Sequence, residues 1–254
     1  MWNHIDLWLA TLAMSVGNSR NTHALGERGY INSSAGLLRV LIVAGTVCGL
    51  WPQAVIADNS QEREPNDAAL IAASDQAVVK LVQLGTVVKR FDVREIQTSG
   101  LLIRLKPDHL DGEGRIDSAV LGELSRVIDP AIEFRGPALS DEGLKQLLEN
   151  VSPIGLDLSG SRVTDRGLKS VAAAKRLRLL DLSFTGITDH GLVLVAKIPE
   201  LRHLSAMECA VTDQGIMPLA KAVSLREVYL SNTRVTDAGR QRLQKVLPKC
   251  RVEL

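Results

Sequence analysis

Pairs of apolar residues separated by one position recur at a constant interval along the second half of the chain. Each pair lies 24 residues after the previous one, and the pairs are Ile132/Phe134, Leu156/Leu158, Leu180/Leu182, Leu204/Ala206, Val228/Leu230 and Val252/Leu254. An apolar–polar–apolar alternation predicts a short β-strand with one buried face. A period of roughly 20–50 residues is typical of stacked repeats, in which each unit buries its apolar face against its neighbours.

A second motif, Thr/Ser-Asp-x-Gly, follows each of the first five pairs. Its aspartates are Asp141, Asp165, Asp189, Asp213 and Asp237, and its glycines are Gly143, Gly167, Gly191, Gly215 and Gly239. Leu192, Val195 and Ala196 then follow at helical spacing, so we predict a helix that returns the chain to the next strand. Either the hydroxyl or the carboxylate of the motif could cap that helix. The glycine is expected to permit close packing on the neighbouring coil.

The third unit shows the whole pattern, in the order Leu177, Leu180, Leu182, Thr185, Ile187, Thr188, Asp189, Gly191 and Leu192. This unit resembles the leucine-rich repeat family, specifically its short bacterial type with T-D-x-G-L in each copy, and the resemblance covers residues 128–254. It implies an α/β fold: a right-handed solenoid bent into an arc, with a parallel β-sheet on the concave side and helices on the convex side. Cys209 takes a structural position in this pattern, as one rung of an inward-facing ladder.

The segment before the repeats, residues 68–127, resembles the small N-terminal α/β cap that leucine-rich-repeat proteins often carry. Apolar spacing predicts a helix over 68–84, which Asp67 could cap, and the sequences VVKRFDV and LLIRL are typical of strands. Residues 58–67 are polar and include a proline, and we interpret them as a linker.

The first 57 residues have the features of a targeting leader. Arg39 precedes an apolar run, and small residues surround Ala57, so the segment 37–57 predicts a secretory signal cleaved after Ala57. The chain is then expected to be extracytoplasmic, secreted or periplasmic. The alternative is an uncleaved membrane anchor, which would be the chain's one link to a membrane, although the run is shorter than the ~20 residues that span a bilayer.

Charge and composition exclude several classes of function. The chain has 30 basic and 29 acidic residues and an aromatic content of 3%, which argues against a nucleic-acid-binding protein. The sequence contains no phosphate-binding loop, nucleophile elbow or zinc-protease motif, and its three cysteines lack metal-ligand spacing. We therefore expect a non-enzymatic protein with no metal and no cofactor. An enzyme with its activity in residues 68–127 is the less favoured alternative.

The strand residues that point away from the helices form a candidate partner-binding face, because they line up across neighbouring repeats. The residues selected are Asp157, Asp181, Arg178, Arg202, Arg226, His203, Met207, Glu227 and Tyr229. Mixed charges suit a protein or peptide partner, and aromatic and arginine side chains are frequent anchors. The resemblance alone also implies a second role, as a substrate receptor of the ubiquitin-ligase type. The last strand is an edge that could pair with a second copy of the chain.

Overall fold

The computed structural model describes residues 41–43, 46–48, 65–93, 98–134 and 136–254. The chain divides into two compact units, Met1–Glu62 and Arg63–Leu254. In the first unit β1 (Leu41–Val43) pairs with β2 (Thr46–Cys48) in antiparallel fashion. Ala57, the predicted cleavage position, lies outside the described residues. Among the described residues, no helix combines the length and the apolar character needed to cross a bilayer.

The second unit contains one eight-stranded sheet in which sequence neighbours are also spatial neighbours, from β3 to β10. Its strands are β3 (Val87–Val93), β4 (Thr98–Leu105), β5 (Pro130–Phe134), β6 (Gly155–Asp157), β7 (Leu179–Asp181), β8 (His203–Ser205), β9 (Glu227–Tyr229) and β10 (Arg251–Glu253). β3 and β4 are antiparallel, and every later pair is parallel. The predicted parallel sheet is confirmed.

The register of the sheet follows the 24-residue period. Leu156 pairs with Leu180, and Leu180 pairs with Leu204, so equivalent residues of successive repeats are adjacent rungs. The strand and its return segment together take one period, and the next strand therefore lies directly beside the previous one. The register extends back to the segment before the repeats, where Ile103 of β4 pairs with Ile132 of β5.

Helices alternate with the strands of this sheet. They are α1 (Pro65–Gln83), α2 (Ser118–Leu124), α3 (Asp141–Asn150), α4 (Leu168–Val171), α5 (Asp189–Val195), α6 (Asp213–Ile216) and α7 (Asp237–Val246), with 3₁₀ turns at Pro107–His109 and Met217–Lys221. α1 corresponds to the helix predicted over 68–84. α6 is short because Pro218 lacks the N–H that an α-helix would use, and the chain continues as a 3₁₀ turn.

One hydrophobic core runs between the sheet and the helices. It contains the central residue of each repeat strand and the helix residues that face it, among them Leu144, Leu168 and Leu192. The same core includes Leu81 of α1 and Ile103 of β4. The segment before the repeats therefore shares one hydrophobic core with them.

His109 connects the end of α1 to the loop after β4. Its ring is buried; Nδ1 accepts a hydrogen bond from the Lys106 N–H (3.0 Å), and Nε2 lies 2.9 Å from the Leu84 carbonyl oxygen. Since Nδ1 accepts, Nε2 carries the proton and donates to the carbonyl. This ring thus satisfies one backbone donor and one backbone acceptor at once.

Candidate partner-binding face

The aspartate of the repeated motif joins each repeat to the next. Asp189 Oδ1 accepts from the Thr212 N–H (2.7 Å), and Asp189 Oδ2 accepts from the Thr212 hydroxyl (2.6 Å). The same two bonds join Asp141 to Thr164, Asp165 to Thr188 and Asp213 to Thr236. We call this pair of bonds the Asp–Thr bridge. Thr212 Oγ1 also accepts from the Gln214 N–H (3.2 Å), so threonine caps the helix and aspartate binds the following repeat.

The glycine of the motif lies against this bridge. A Cβ atom added at Gly215 would lie 2.1 Å from Asp189 Oδ1, and one added at Gly167 would lie 2.5 Å from Asp141 Oδ1. In the first copy, a Cβ at Gly143 would lie 1.9 Å from the carbonyl oxygen of Gly114. Any larger residue would displace the carboxylate or the backbone, so these positions hold the repeats together and offer no chemistry of their own.

The sheet presents two columns of side chains on the side opposite the core, which we call the strand face. Alternation along each strand places them there, because the residue between them is buried in the core. One column is Arg104, Glu133, Asp157, Asp181, Ser205, Tyr229 and Glu253, and the other is Leu102, Ala131, Gly155, Leu179, His203, Glu227 and Arg251. The structure thus brings the predicted Asp157, Asp181, His203, Glu227 and Tyr229 onto the same side of the sheet, where all five side chains are buried.

Three carboxylates occupy adjacent rungs of the strand face. Glu133, Asp157 and Asp181 are buried, with 0%, 4% and 5% exposure, and Glu133 forms an ion pair with Arg104 (2.8 Å). Burial, together with the negative charges of Asp181 and Glu133, raises the pKa of Asp157 to about 7, although hydrogen bonds from Ser159 act in the opposite direction. At neutral pH, Asp157 is therefore divided between its protonated and ionised forms.

A second polar group occupies β8 and β9. His203 Nδ1 lies 3.1 Å from Glu227 Oε2, both side chains are buried, and the Tyr229 ring lies 5.2 Å from the imidazole. The Tyr229 hydroxyl has no hydrogen-bond partner among the described residues. Burial, followed by the charges of Glu227 and Glu253, raises the pKa of Tyr229 to about 12, so its hydroxyl stays protonated.

The predicted arginines lie immediately before the strands and are more accessible. Arg178 is half-buried, and its Nε forms an ion pair with Glu200 Oε2 (3.2 Å). Arg226 is exposed, and its Nη1 donates to the carbonyl oxygens of Val223, Ser224 and Leu225 at distances of 2.9–3.1 Å. Arg202 is half-buried. Arg178 and Arg226 thus have structural bonds besides any role in binding.

The turns that follow the strands contain a residue that sequence reasoning missed. Gly160, Phe184, Glu208 and Asn232 occupy equivalent positions, and each has a positive φ, of 68°, 59°, 56° and 58°. Phe184 is 46% exposed, and its N–H donates to the carbonyl oxygen of Met207 (2.9 Å), which is itself half-buried. The sequence does contain one indication of this turn. Gly160 and Asn232 stand at the same position of other repeats, and both residue types adopt a positive φ more readily than most.

Other reactive groups are engaged in the fold. Cys209 is buried, its Sγ donates to the Leu182 carbonyl oxygen (3.1 Å), and burial raises the pKa of the thiol, which disfavours the thiolate. Over the described ranges, no group of three or more histidine, cysteine, aspartate or glutamate residues could hold a metal ion.

Comparisons with known proteins find similarity to the repeats of this chain. The family model described as "Leucine Rich repeat" matches residues 156–172 and 176–196. A leucine-rich-repeat protein of Leptospira interrogans is 15% identical, with a TM-score of 0.35 over 52% of this chain and 33% of that one. The Arabidopsis receptor kinase HAESA, solved with the peptide hormone IDA and the co-receptor SERK1, is 14% identical, with a TM-score of 0.38 over 74% and 33%.

The chain therefore spans about a third of the length of either protein. A search of curated protein sequences finds no match. The 24-residue period, the in-register parallel strands and the match to the family model agree with one another. Residues 156–172 and 176–196 therefore match leucine-rich repeats, and the same 24-residue pattern continues on both sides of them.

Proposed function

We propose that the chain is a non-enzymatic interaction module that binds a protein or peptide partner on the strand face and on the turns at the ends of the strands. The observation that carries the proposal is the row of buried carboxylates at Glu133, Asp157 and Asp181. Like charges on directly adjacent rungs destabilise a sheet, and burial adds a further cost, visible in the raised pKa of Asp157. Apolar residues would serve the fold better at these positions, which favours a role in recognition.

The charge of the row supports a partner with a basic side chain. A positive charge placed near Asp157 would favour the ionised carboxylate and so lower the pKa of this residue. Binding should then release a proton at neutral pH, and affinity should increase as the pH rises through about 7.

The dimensions of the strand face limit what it can do alone. The strands from β6 to β10 have three residues each, about 10 Å in length, and six spacings of ~4.8 Å separate β4 from β10. The resulting ~300 Å² is well below the ~800 Å² per partner of a standard interface. Turn residues such as Met207 and Phe184 must therefore take part in any tight complex.

Site-specific photocrosslinking tests this proposal. A photoreactive amino acid replaces Met207 at the edge of the strand face, and a matched variant carries it at Lys169, which is exposed on α4. We expect a crosslinked protein or peptide from native extract at Met207 and none at Lys169, and we expect Asp181→Asn to reduce the yield at Met207. Equal recovery from both positions, or no partner at either, would refute the proposal.

We further propose that the chain is exported by the segment 37–57 and cleaved after Ala57. Arg39, the apolar run and the small residues near Ala57 support this. Amino-terminal sequencing of the mature chain should begin at Asp58. An intact chain recovered from the membrane fraction would instead support the anchor.

A further inference from the structure

A pocket of about 320 Å³ lies between two successive repeats, at the ends of α3 and α4 and beside the connections from these helices to β6 and β7. Its apolar lining consists of Leu148, Val151, Pro153, Ala173 and Ala174. Leu148 and Ala174 also pack against the hydrophobic core, so the floor of the pocket belongs to the folded repeats. Ligand pockets have volumes of roughly 300–1,000 Å³, and this one therefore suits a small molecule.

The small size of three lining residues accounts for the open space. Each of them is smaller than the residue 24 positions later, and the pairs are Ser170 and Leu194, Ala173 and Lys197, and Ala174 and Ile198. Ile198 is buried in the hydrophobic core, so the repeat accepts a large side chain at this position. α4 has four residues whereas α5 has seven. A short helix with small side chains thus leaves a space that the residues of the next repeat would fill.

The polar part of the lining is basic. Lys175 is exposed and has no ion pair among the described residues, whereas Arg176 forms an ion pair with Asp129. The hydroxyls of Ser152 and Ser170 have no hydrogen-bond partner in the part of the chain that the structure describes. The lining contains no carboxylate. The pocket therefore combines an apolar surface with one uncompensated positive charge and two hydroxyl groups that can donate hydrogen bonds.

We propose that this pocket binds a small carboxylic acid with an apolar body. The carboxylate lies beside Lys175 and accepts a hydrogen bond from Ser152 or Ser170. The apolar body packs against Leu148 and Val151, and its burial supplies much of the affinity. The charge of Lys175 favours an anion over a neutral or cationic molecule of the same shape. None of the lining residues belongs to the strand face, so this site does not depend on the proposed function.

Calorimetric titration of the full chain tests this site with two acids, 3-phenylpropionate and hexanoate. The matched probes 3-phenylpropanol and 3-phenylpropylamine keep the apolar body and replace the carboxylate by a neutral or a positive group. We expect the acid to bind about tenfold more tightly than either, the size of one charge-assisted hydrogen bond. Lys175→Gln should remove this preference. Lys169→Gln is the control, because Lys169 is exposed on α4 outside the lining, and it should leave the affinity unchanged.

Two pocket-filling variants separate binding from stability. Ala174→Ile and Ser170→Leu each insert the residue that the next repeat carries at the equivalent position. We expect either one to abolish detectable binding of both acids, because the new side chain occupies the pocket. The melting temperature should stay the same or rise, since filling a cavity favours the folded state. Photocrosslinking at Met207 should be unaffected by Ala174→Ile, which keeps this test distinct from that of the proposed function.

Several results would overturn the proposal. The absence of saturable binding of either acid to the wild-type chain would refute the site. Equal affinities for the acid, the alcohol and the amine would refute the carboxylate chemistry, and unchanged affinity in both pocket-filling variants would place the binding elsewhere. Binding of a peptide that ends in a free phenylalanine carboxylate, without binding of either acid, would refute the small-molecule occupant.

Discussion

Gly167→Ala tests whether the glycine of the repeat motif is required by the aspartate of the preceding repeat. A Cβ at Gly167 would lie 2.5 Å from Asp141 Oδ1 and 3.2 Å from Asp141 Cγ. The carboxylate cannot move aside freely, because its oxygens bind the Thr164 N–H (2.8 Å) and hydroxyl (2.7 Å). The new methyl group must therefore weaken or break the Asp–Thr bridge.

The expected size of the effect follows from these bonds. A hydrogen bond to an ionised carboxylate contributes about 1.5–3 kcal/mol net, and the bridge is half-exposed, so the lower value gives about 3 kcal/mol for both bonds. Gly167 has helical φ and ψ at the start of α4, and replacing glycine by alanine in a helix stabilises by up to about 1 kcal/mol. We therefore expect Gly167→Ala to lower the free energy of unfolding by about 2 kcal/mol.

The effect of Gly167→Ala on the free energy of unfolding should change sign when the carboxylate of Asp141 is removed. In an Asp141→Ala chain, the nearest remaining atom is Val163 Cγ1 at 3.2 Å, and Gly167→Ala is then expected to be neutral or to stabilise by up to about 1 kcal/mol. The double-mutant cycle should give a coupling energy of about 2–3 kcal/mol. Gly122→Ala in α2 is the control, because a Cβ there meets nothing within 4 Å, and it should stabilise the chain by up to about 1 kcal/mol.

Urea unfolding followed by far-ultraviolet circular dichroism measures these energies for the wild type, both single variants, the double variant and the control. Equal costs of Gly167→Ala with and without Asp141 would refute the reasoning, since the clash would then not involve the carboxylate. A stabilising Gly167→Ala in the wild-type chain would do so as well.

Three further results are expected. Asp157→Asn should remove a decline in stability with rising pH: because burial and Asp181 raise the folded-state pKa of Asp157 to about 7, its stabilising contribution is complete below its unfolded value of ~3.9 and is lost as the pH rises through about 7. Urea unfolding of both chains from pH 4 to pH 8 checks this. Glu227→Ala should destabilise the chain by about 3 kcal/mol, since it breaks the buried pair with His203, whereas Glu227→Gln, which keeps a hydrogen-bond acceptor, should cost less. His109→Phe should cost about 2 kcal/mol, because two backbone groups lose their partners, and thermal unfolding measures that loss.

Each of these three predictions has an outcome that would contradict it. An Asp157→Asn chain with the pH profile of the wild type would place the titration elsewhere. Equal effects of the Ala and Gln variants at Glu227 would show that packing, and not the polar pair, dominates there. A His109→Phe chain as stable as the wild type would mean that water satisfies the two backbone groups.

The repeats, the strands and their register were predictable because a single spacing determines all three. Leu156, Leu180 and Leu204 are equivalent by position, and equivalent positions of stacked coils become neighbours. The lengths of the return helices were less predictable, since they depend on local features such as Pro218. The capping role of Thr212 required coordinates, because threonine and aspartate can each accept a backbone N–H.

The sequence predicts which residues lie on the candidate face but not how deeply their side chains are buried. The sequence places Asp157 and Asp181 on adjacent rungs, yet the burial of these side chains is not encoded in either residue alone. Phe184 was missed for a similar reason. Its strain follows from a backbone conformation that the repeat imposes, and that conformation is visible only when Gly160, Glu208 and Asn232 are compared with it.

The Asp–Thr bridge has a consequence for how such a chain can change in length. Because the aspartates of the first four motifs each reach forward 23 residues to an amide and a hydroxyl, a single inserted or deleted residue within a unit would pull those groups apart. Removal or addition of one complete unit would leave each bridging carboxylate with a threonine in reach. Insertion or deletion of a whole repeat is therefore far less damaging to the fold than insertion or deletion of a single residue. The even spacing of the five motifs agrees with this difference.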